Sequence, residues 1–404
     1  MNSSHCLTRI ISTLLLAFVW VDVSECAQAE DLPVHSGAFV HPGIYYRASD
    51  LDFMRKKLAA KAEPWFSAWE SCKPNARDAG WVPHAVADWD LSKTDMYTSG
   101  DAVVAHKEAL QWALTGDKAN AAKAIEILNA WSSTLKTIPP HKMPQEKLAC
   151  GANVSHFVNA AELLCYGGPS GKSSGWAPAD IQQFKSMLGI FYQTMEDFMP
   201  GFNGNWDALM MNSMICSAVF LDDHAMFDRA VKHYVEGVKP NGGLTNYIYP
   251  SGQCQESGRD QGHIQWGISG LVAVCEVAWK QGIDLYGVEN NRLLAGLEYS
   301  AKYNLGNDVP FVGKGGPWDA KQISEKDRGI FCPIWETAYQ HYVYRKGLEM
   351  PYTKQIIFGD KIKVNGRNKG VPGPYRPEGA YSVGISWGTF TMFKGDEDPE
   401  AVKK

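Results

Sequence analysis

Apolar residues recur at helical spacing along most of the chain. In residues 118–135, Ala121, Ala124, Ile125, Leu128 and Trp131 fall on one face of a 3.6-residue period, which predicts an amphipathic helix. The same spacing predicts helices over 51–62, 102–114, 154–164, 180–199, 206–220, 225–238, 256–280, 290–303 and 334–344. Boundary residues agree: Ser49-Asp50 precede the first, Asp101 the second, and Thr115-Gly116-Asp117 separate the second from 118–135. Loops such as Gly168-Pro169-Ser170-Gly171 and Asn203-Gly204-Asn205 lie between them. Strand patterns are sparse: 244–249, after the Asn241-Gly242-Gly243 turn, and a weaker one over 382–393. Helix pairs in series, without a fixed repeat, predict an all-α fold. The expected form is an α/α toroid, an incomplete barrel of antiparallel helix pairs whose inner members line a funnel.

No Pro/Ser/Thr-rich linker or composition break divides residues 30–404, so one domain is expected there. The first 29 residues read differently. Arg9 precedes an apolar run over 10–21 that is too short to span a bilayer. Ala27-Gln28-Ala29 then fits a signal-peptidase site. A cleaved signal peptide and a secreted or periplasmic protein are expected, with no membrane anchor afterwards. At 45% hydrophobic and 21% charged the chain is not disordered. A net charge of −5 argues against a nucleic-acid partner, because neutralising phosphates needs excess Lys and Arg. Beyond the leader stand Cys72, Cys150, Cys165, Cys216, Cys254, Cys275 and Cys332, an odd number that leaves a thiol free. Cys216 and Cys275 sit in apolar helical stretches and are expected in the core. No CxxC or HxxxH cluster exists, so a metal site is not expected. A monomer is the simplest assembly. Asn153-Val154-Ser155 is a glycosylation sequon, relevant only in a eukaryotic source.

Three polar segments stand where apolar helices begin: Asn203-Gly204-Asn205-Trp206-Asp207, the run from Gln255 to His263, and Glu325-Lys326-Asp327-Arg328-Gly329. Parallel inner helices would bring such starts to one rim, where free N–H groups and the helix dipole favour an anion. Read as one helix, the second segment puts Glu256, Arg259 or Asp260, and His263 on one face. Asn205 reads equally as a cap of the helix starting at Trp206. Trp206, Trp266, Trp318 and Trp335 read as core or as platforms for sugar rings.

The run NGNWDALMMNSMICSAVFLDD (203–223), QESGRDQGH (255–263), GIDLYG (282–287), EYSAKYNLGNDVPF (298–311) and HPGIYYRASDL (41–51) resemble the alginate lyase superfamily. Polysaccharide lyase family 38, of alginate and glucuronan lyases, is the most similar branch. The resemblance implies a toroid that cleaves acidic 4-linked polyuronates by β-elimination, without metal or organic cofactor. It implies that Asn205 neutralises the substrate carboxylate, that His263 is the catalytic histidine, and that Arg328 is a carboxylate-binding arginine. Cys332 stands where a second arginine of the related Arg-Gly-x-x-Arg motif would be, and Trp206 replaces a histidine. Glu256, Arg259, Trp206 and Trp266 are expected to touch substrate. Chain direction favours Tyr303 over Tyr299 as the proton-transferring tyrosine, with Tyr249 or Tyr339 as further options. Two rivals compete: a toroid glycoside hydrolase using Asp207 with Asp260 or Glu256, and a non-catalytic carbohydrate-binding protein.

Overall fold

The computed structural model describes residue 32 and residues 34–198, 202–313, 319–332, 334–359, 362–364, 367–369 and 387–403. The leader over 1–29, Trp318 and residues 382–386 of the 382–393 segment lie outside them. Among the described residues fifteen α-helices follow in order: α1 (Ala48–Ala59), α2 (Trp65–Cys72), α3 (Ala76–Ala79), α4 (Asp101–Thr115), α5 (Lys118–Thr134), α6 (Gln145–Tyr166), α7 (Pro178–Met195), α8 (Gly204–Leu221), α9 (His224–Glu236), α10 (Leu244–Tyr247), α11 (Gln261–Lys280), α12 (Val288–Asn304), α13 (Trp335–Tyr339), α14 (Pro351–Phe358) and α15 (Gly388–Thr391). A π-helical stretch, Gln340–Arg345, continues α13.

Local chemistry sets the boundaries. Gly116 ends α4 in the left-handed region at φ 76°, where a glycine carries no steric penalty. Asp117 then caps α5, its Oδ1 accepting from the Ala119 amide at 2.9 Å. Two kinds of helix result. α8 is buried along almost its whole length, as are α6 and most of α11 and α4. α5, α7 and α9 bury only a stripe, such as Phe184, Met187, Leu188, Phe191 and Met195 on α7. The first kind forms the inner layer. α4 packs on α6, α6 on α8, α8 on α11 and α11 on α13, while α5, α7, α9, α12 and α14 pack outside them. Inner helices approach closely at glycines. A Cβ on Gly151 would stand 2.8 Å from the Met210 amide nitrogen, and one on Gly270 2.7 Å from the Ala208 carbonyl carbon. Between α13 and α1 the ring is completed by the single-turn helix α15, which touches α13, α1 and α2.

The C-terminal end of the inner layer is plugged. His41 Nδ1 meets Glu162 Oε1 at 2.8 Å near the end of α6. Arg47 donates to the carbonyls of Trp279 and Lys280 at the end of α11, and Arg55 to those of Ala113 in the last turn of α4 and Gly167 just past α6. Tyr45 and Tyr46 reach further in, bonding Asn212 and His106 at mid-helix. Buried charges lock this end: Lys280 contacts Asp50 at 2.9 Å and Glu276 at 3.0 Å, Lys394 pairs with Asp50, and Arg345 Nε contacts Asp398 at 2.8 Å.

Several sequence expectations need correction. Of residues 244–249, 244–247 form the helical turn α10 and Ile248 makes an isolated bridge to Cys254, with no partner strand alongside among the described residues. Of the 382–393 segment, 388–391 is helical. The strands found among the described residues, Ile362–Val364 and Arg367–Lys369, pair antiparallel where none was expected. The helix read over 256–280 starts only at Gln261, since Asp260 caps it. Asn153 is buried within α6 and donates to the Ala149 and Met96 carbonyls, so the sequon is not accessible in the folded chain. Cys150, Cys165, Cys216, Cys254 and Cys275 are free thiols, with Cys216 and Cys275 in the core.

Candidate active site

The polar segments singled out from sequence gather at the opposite, N-terminal ends of α8 and α11. Asp260 organises the start of α11. Its Oδ1 accepts from the His263 amide at 2.8 Å, the capping bond, and both its oxygens lie 2.8 Å from His263 Nδ1. A carboxylate only accepts, so in the neutral imidazole Nδ1 carries the proton and Nε2 has the lone pair. The side chain is 28% exposed, and Trp266, one turn on, holds its ring 5.3 Å from the imidazole. Burial works to raise the Asp260 pKa. The His263 hydrogen bonds and the Lys326 ammonium at 3.3 Å outweigh it and hold the carboxyl well below the usual range.

Asn205 occupies the first turn of α8, whose cap position is Asn203. It is therefore not the cap that its sequence position allowed. It is 0% exposed, and its Oδ1 and Nδ2 have no hydrogen-bond partner among the described residues. Buried amides are normally satisfied, and an unpaired one costs about 1–3 kcal/mol per group.

Glu256 and Arg259 precede α11 in turns, so they do not share a helical face with His263 as expected. They still pair, Arg259 Nη1 lying 2.7 Å from Glu256 Oε1. The Tyr247 hydroxyl sits 3.2 Å from Glu256 Oε2. Burial lifts the Glu256 pKa above the ordinary carboxylate value, against the pull of Arg259.

The tyrosines separate clearly. The Tyr299 hydroxyl donates to the Pro310 carbonyl at 2.7 Å. No hydrogen bond to the Tyr303 hydroxyl is found among the described residues, and the Arg328 guanidinium lies 3.9 Å from the Tyr303 ring centroid. Burial raises the Tyr303 pKa, and the Arg328 charge opposes the rise. Arg328 is itself engaged: Nε donates to the Tyr303 carbonyl at 2.9 Å, Nη2 to the Asn307 carbonyl at 3.0 Å, and Nη1 contacts Glu325 at 3.3 Å. The return of α12 to the start of α11 is visible in Asn304 Nδ2, which donates to Gln261 Oε1 at 3.0 Å. Residues 324–332 lie along both helices, the Lys326 carbonyl accepting from the Gln261 amide and the Gly329 amide donating to Asn304. The backbone amide of Cys332 donates to Gln265 Oε1 at 2.8 Å. Tyr249 is half-buried, and Tyr339 is buried on α13.

Trp206, 4% exposed and stacked on Phe202, packs the start of α8 and has little face to offer a sugar. Trp266 remains half-buried beside His263. Asp207 is removed from any hydrolytic carboxylate pair, because His233 Nε2 takes Oδ1 at 2.7 Å and the Gly243 amide takes Oδ2 at 2.9 Å. Sequence reasoning missed the clamp of Asp260 on His263, although an Asp three residues before a helical His is a readable capping signal. It also missed Tyr247, which no local pattern marks, and the pairing of Lys326, in the third polar segment, with Asp260.

The family model described as "Alginate lyase" matches residues 50–311. The chain belongs to the alginate lyase family. It is accordingly a polysaccharide lyase, on the α/α toroid fold. An alginate lyase from Bacteroides ovatus is 16% identical, with 74% of this lyase and 92% of that chain covered and a TM-score of 0.55. The apo form of a variant of alginate lyase A1-III is 13% identical, covering 89% and 97%, with a TM-score of 0.58. Alginate lyase A1-III from Sphingomonas species A1 gives 15%, 66% and 79%, and 0.52. These are likenesses of fold. No curated protein matches the sequence. Among the lyase's described residues no three His, Cys, Asp or Glu side chains are grouped to hold a metal ion, and no helix is long and apolar enough to cross a membrane.

Proposed function

We propose that this lyase cleaves an acidic 4-linked polyuronate, alginate with polymannuronate foremost or glucuronan, by β-elimination. The observation that carries the reading is Asn205, an amide buried without a partner in the first turn of a helix. Its Nδ2 donor is satisfied when a substrate carboxylate accepts from it, and the free N–H groups of the same turn add to the attraction. Neutralising that carboxylate acidifies the C5 proton and stabilises the enolate-like intermediate. A neutral Glu256, favoured by its burial, or Arg259 would share the task.

The proton steps follow from the two remaining groups. His263 Nε2, the acceptor of the neutral imidazole whose Nδ1–H faces Asp260, takes the C5 proton. The C4–C5 double bond forms as the C4–O4 bond breaks. Tyr303, a neutral phenol with its pKa raised by burial, gives its proton to O4. In mannuronate and glucuronate both events occur on one side of the ring, which suits two groups hung from the same corner of α11 and α12. Arg328, stacked on Tyr303 and bonded to its carbonyl, holds that ring in place and supplies positive charge beside it. The resemblance of residues 203–223 and 255–263 to polysaccharide lyase family 38 supports this choice of substrates.

The test is a panel of polyuronates followed in the ultraviolet, where the unsaturated product absorbs. Absorbing ends from at least one of them are expected. Cleavage into products without that absorbance would exclude elimination and favour hydrolysis. We also propose export, with cleavage after Ala29, for which the mature N-terminal sequence is the check.

A further inference from the structure

Tyr247 is buried between the two helix starts that carry Asn205 and His263. Its ring occupies the space in which two side chains would otherwise stand. A Cβ added at Gly204 would lie 2.2 Å from Tyr247 Cδ2, and one at Gly267 2.2 Å from its Oη and 2.3 Å from its Cζ. Neither position tolerates a methyl group without moving the phenol, so the thickness of one ring sets the spacing of α8 from α11 here. A glycine inside α11 costs helix stability, about 1 kcal/mol relative to alanine, and this packing accounts for it.

The hydroxyl points into the site. Glu256 Oε2, the His263 carbonyl and the Ile264 carbonyl each lie 3.2 Å from it. One proton thus serves three acceptors, two of them on the first turn of α11. Burial pushes the phenol well above its ordinary pKa, so it stays a neutral donor. The backbone completes a circuit. The Tyr247 carbonyl accepts from the Gln255 amide at 2.8 Å, and Gln255 Oε1 accepts from the Gly204 amide at 3.2 Å.

We propose that Tyr247 is a positioning residue for the elimination, fixing His263 and Glu256 against Asn205 through its ring and its hydroxyl. The proposal rests on reading Asn205 and His263 as the elimination site. Tyr247 touches no reacting atom. It acts by holding the base and the carboxylate-binding group at one separation, and misplacement by about 1 Å is enough to cost about a hundredfold in rate.

The experiment uses the mature full-length enzyme, with kcat and KM read from ultraviolet absorbance on the polyuronate the wild type cleaves, and Tm from calorimetry. Tyr247→Phe keeps the ring and removes the hydroxyl. It is expected to lower kcat by about tenfold or more, with KM within about twofold of wild type. Gly267→Ala, which presses a methyl group on the hydroxyl, is expected to lower kcat in the same way. It decides the matter if Tyr247→Phe does not fold. A structural residue alone would lower Tm and leave kcat per folded enzyme unchanged, and that outcome overturns the proposal. So does a loss confined to KM. A wild type that yields no unsaturated product from any polyuronate sinks the elimination reading itself, a result distinct from an active wild type with an equally active Tyr247→Phe.

Discussion

Replacing Asn205 by alanine is expected to stabilise the fold while sharply slowing turnover. Its two polar atoms are buried and unpaired, and removing both relieves about 2–4 kcal/mol of lost hydration. The amide leaves a small void that costs back about 1 kcal/mol. Alanine adds a few tenths as the better helix former. The net gain is about 1–3 kcal/mol. For a chain longer than 250 residues, 1 kcal/mol corresponds to about 1–2 °C, so calorimetry should show Tm rising by roughly 2–4 °C. Turnover should move the other way. A donor that stabilises charge developing in the transition state is worth about 10²–10³ in kcat, and because that charge grows along the reaction, KM should change far less. A structural cap would behave in the opposite manner, with Tm falling and kcat per folded molecule intact. That pair of results would refute the assignment. A change confined to KM would reduce Asn205 to a binding residue.

His263→Ala should retain its fold and lose at least about a hundredfold in kcat, the scale of a general base; near-normal turnover would remove it from the mechanism. Tyr303→Phe should lose activity, whereas Tyr299→Phe, whose hydroxyl is spent on the Pro310 carbonyl, should cost some stability and little rate; the reverse pattern would transfer the acid to Tyr299. Acid should loosen the plugged end of the toroid. Burial opposes ionisation of Glu276, yet Lys280 and Arg345 lower its pKa from 4.5 to about 2. A depressed carboxyl contributes stability that is fully present above its unfolded value and lost as pH falls through its folded one. Denaturant midpoints should therefore drop between about pH 4.5 and 2, by up to about 3 kcal/mol from this group. Lys280→Met should cost about 3–5 kcal/mol at neutral pH by leaving Asp50 and Glu276 short of charge, and it should flatten that acid dependence; an unchanged midpoint would show the cluster to be energetically idle.

How far the site was legible in the sequence follows from the range of the interactions that build it. Helix existence is local, since apolar spacing and caps such as Asp117 act within a few residues, and the inner and outer helices were read on that basis. The start of α11 was misplaced by five residues because Glu256 and Arg259 continue the helical spacing of charges, while the decisive residue was Asp260, whose side chain bonds an amide three positions on. Asn205 could be read as a cap or as a ligand, and only the start of α8 at Gly204 separates the two. Long-range partners left no local trace. Arg328 finds Tyr303 across a loop, Asp207 finds His233 on the next helix, and Tyr247 is wedged against glycines 43 positions before it and 20 after it. Those glycines were the one available signal. A helix-interior glycine such as Gly267 is unfavourable in isolation, so its presence amid an apolar helix implies a neighbour that leaves no room for a Cβ. The neighbour is a phenol that carries a donor to the site. The same residue thus sets how closely α8 and α11 pack and how Asn205 and His263 face one another, which ties this close packing to the chemistry of the lyase.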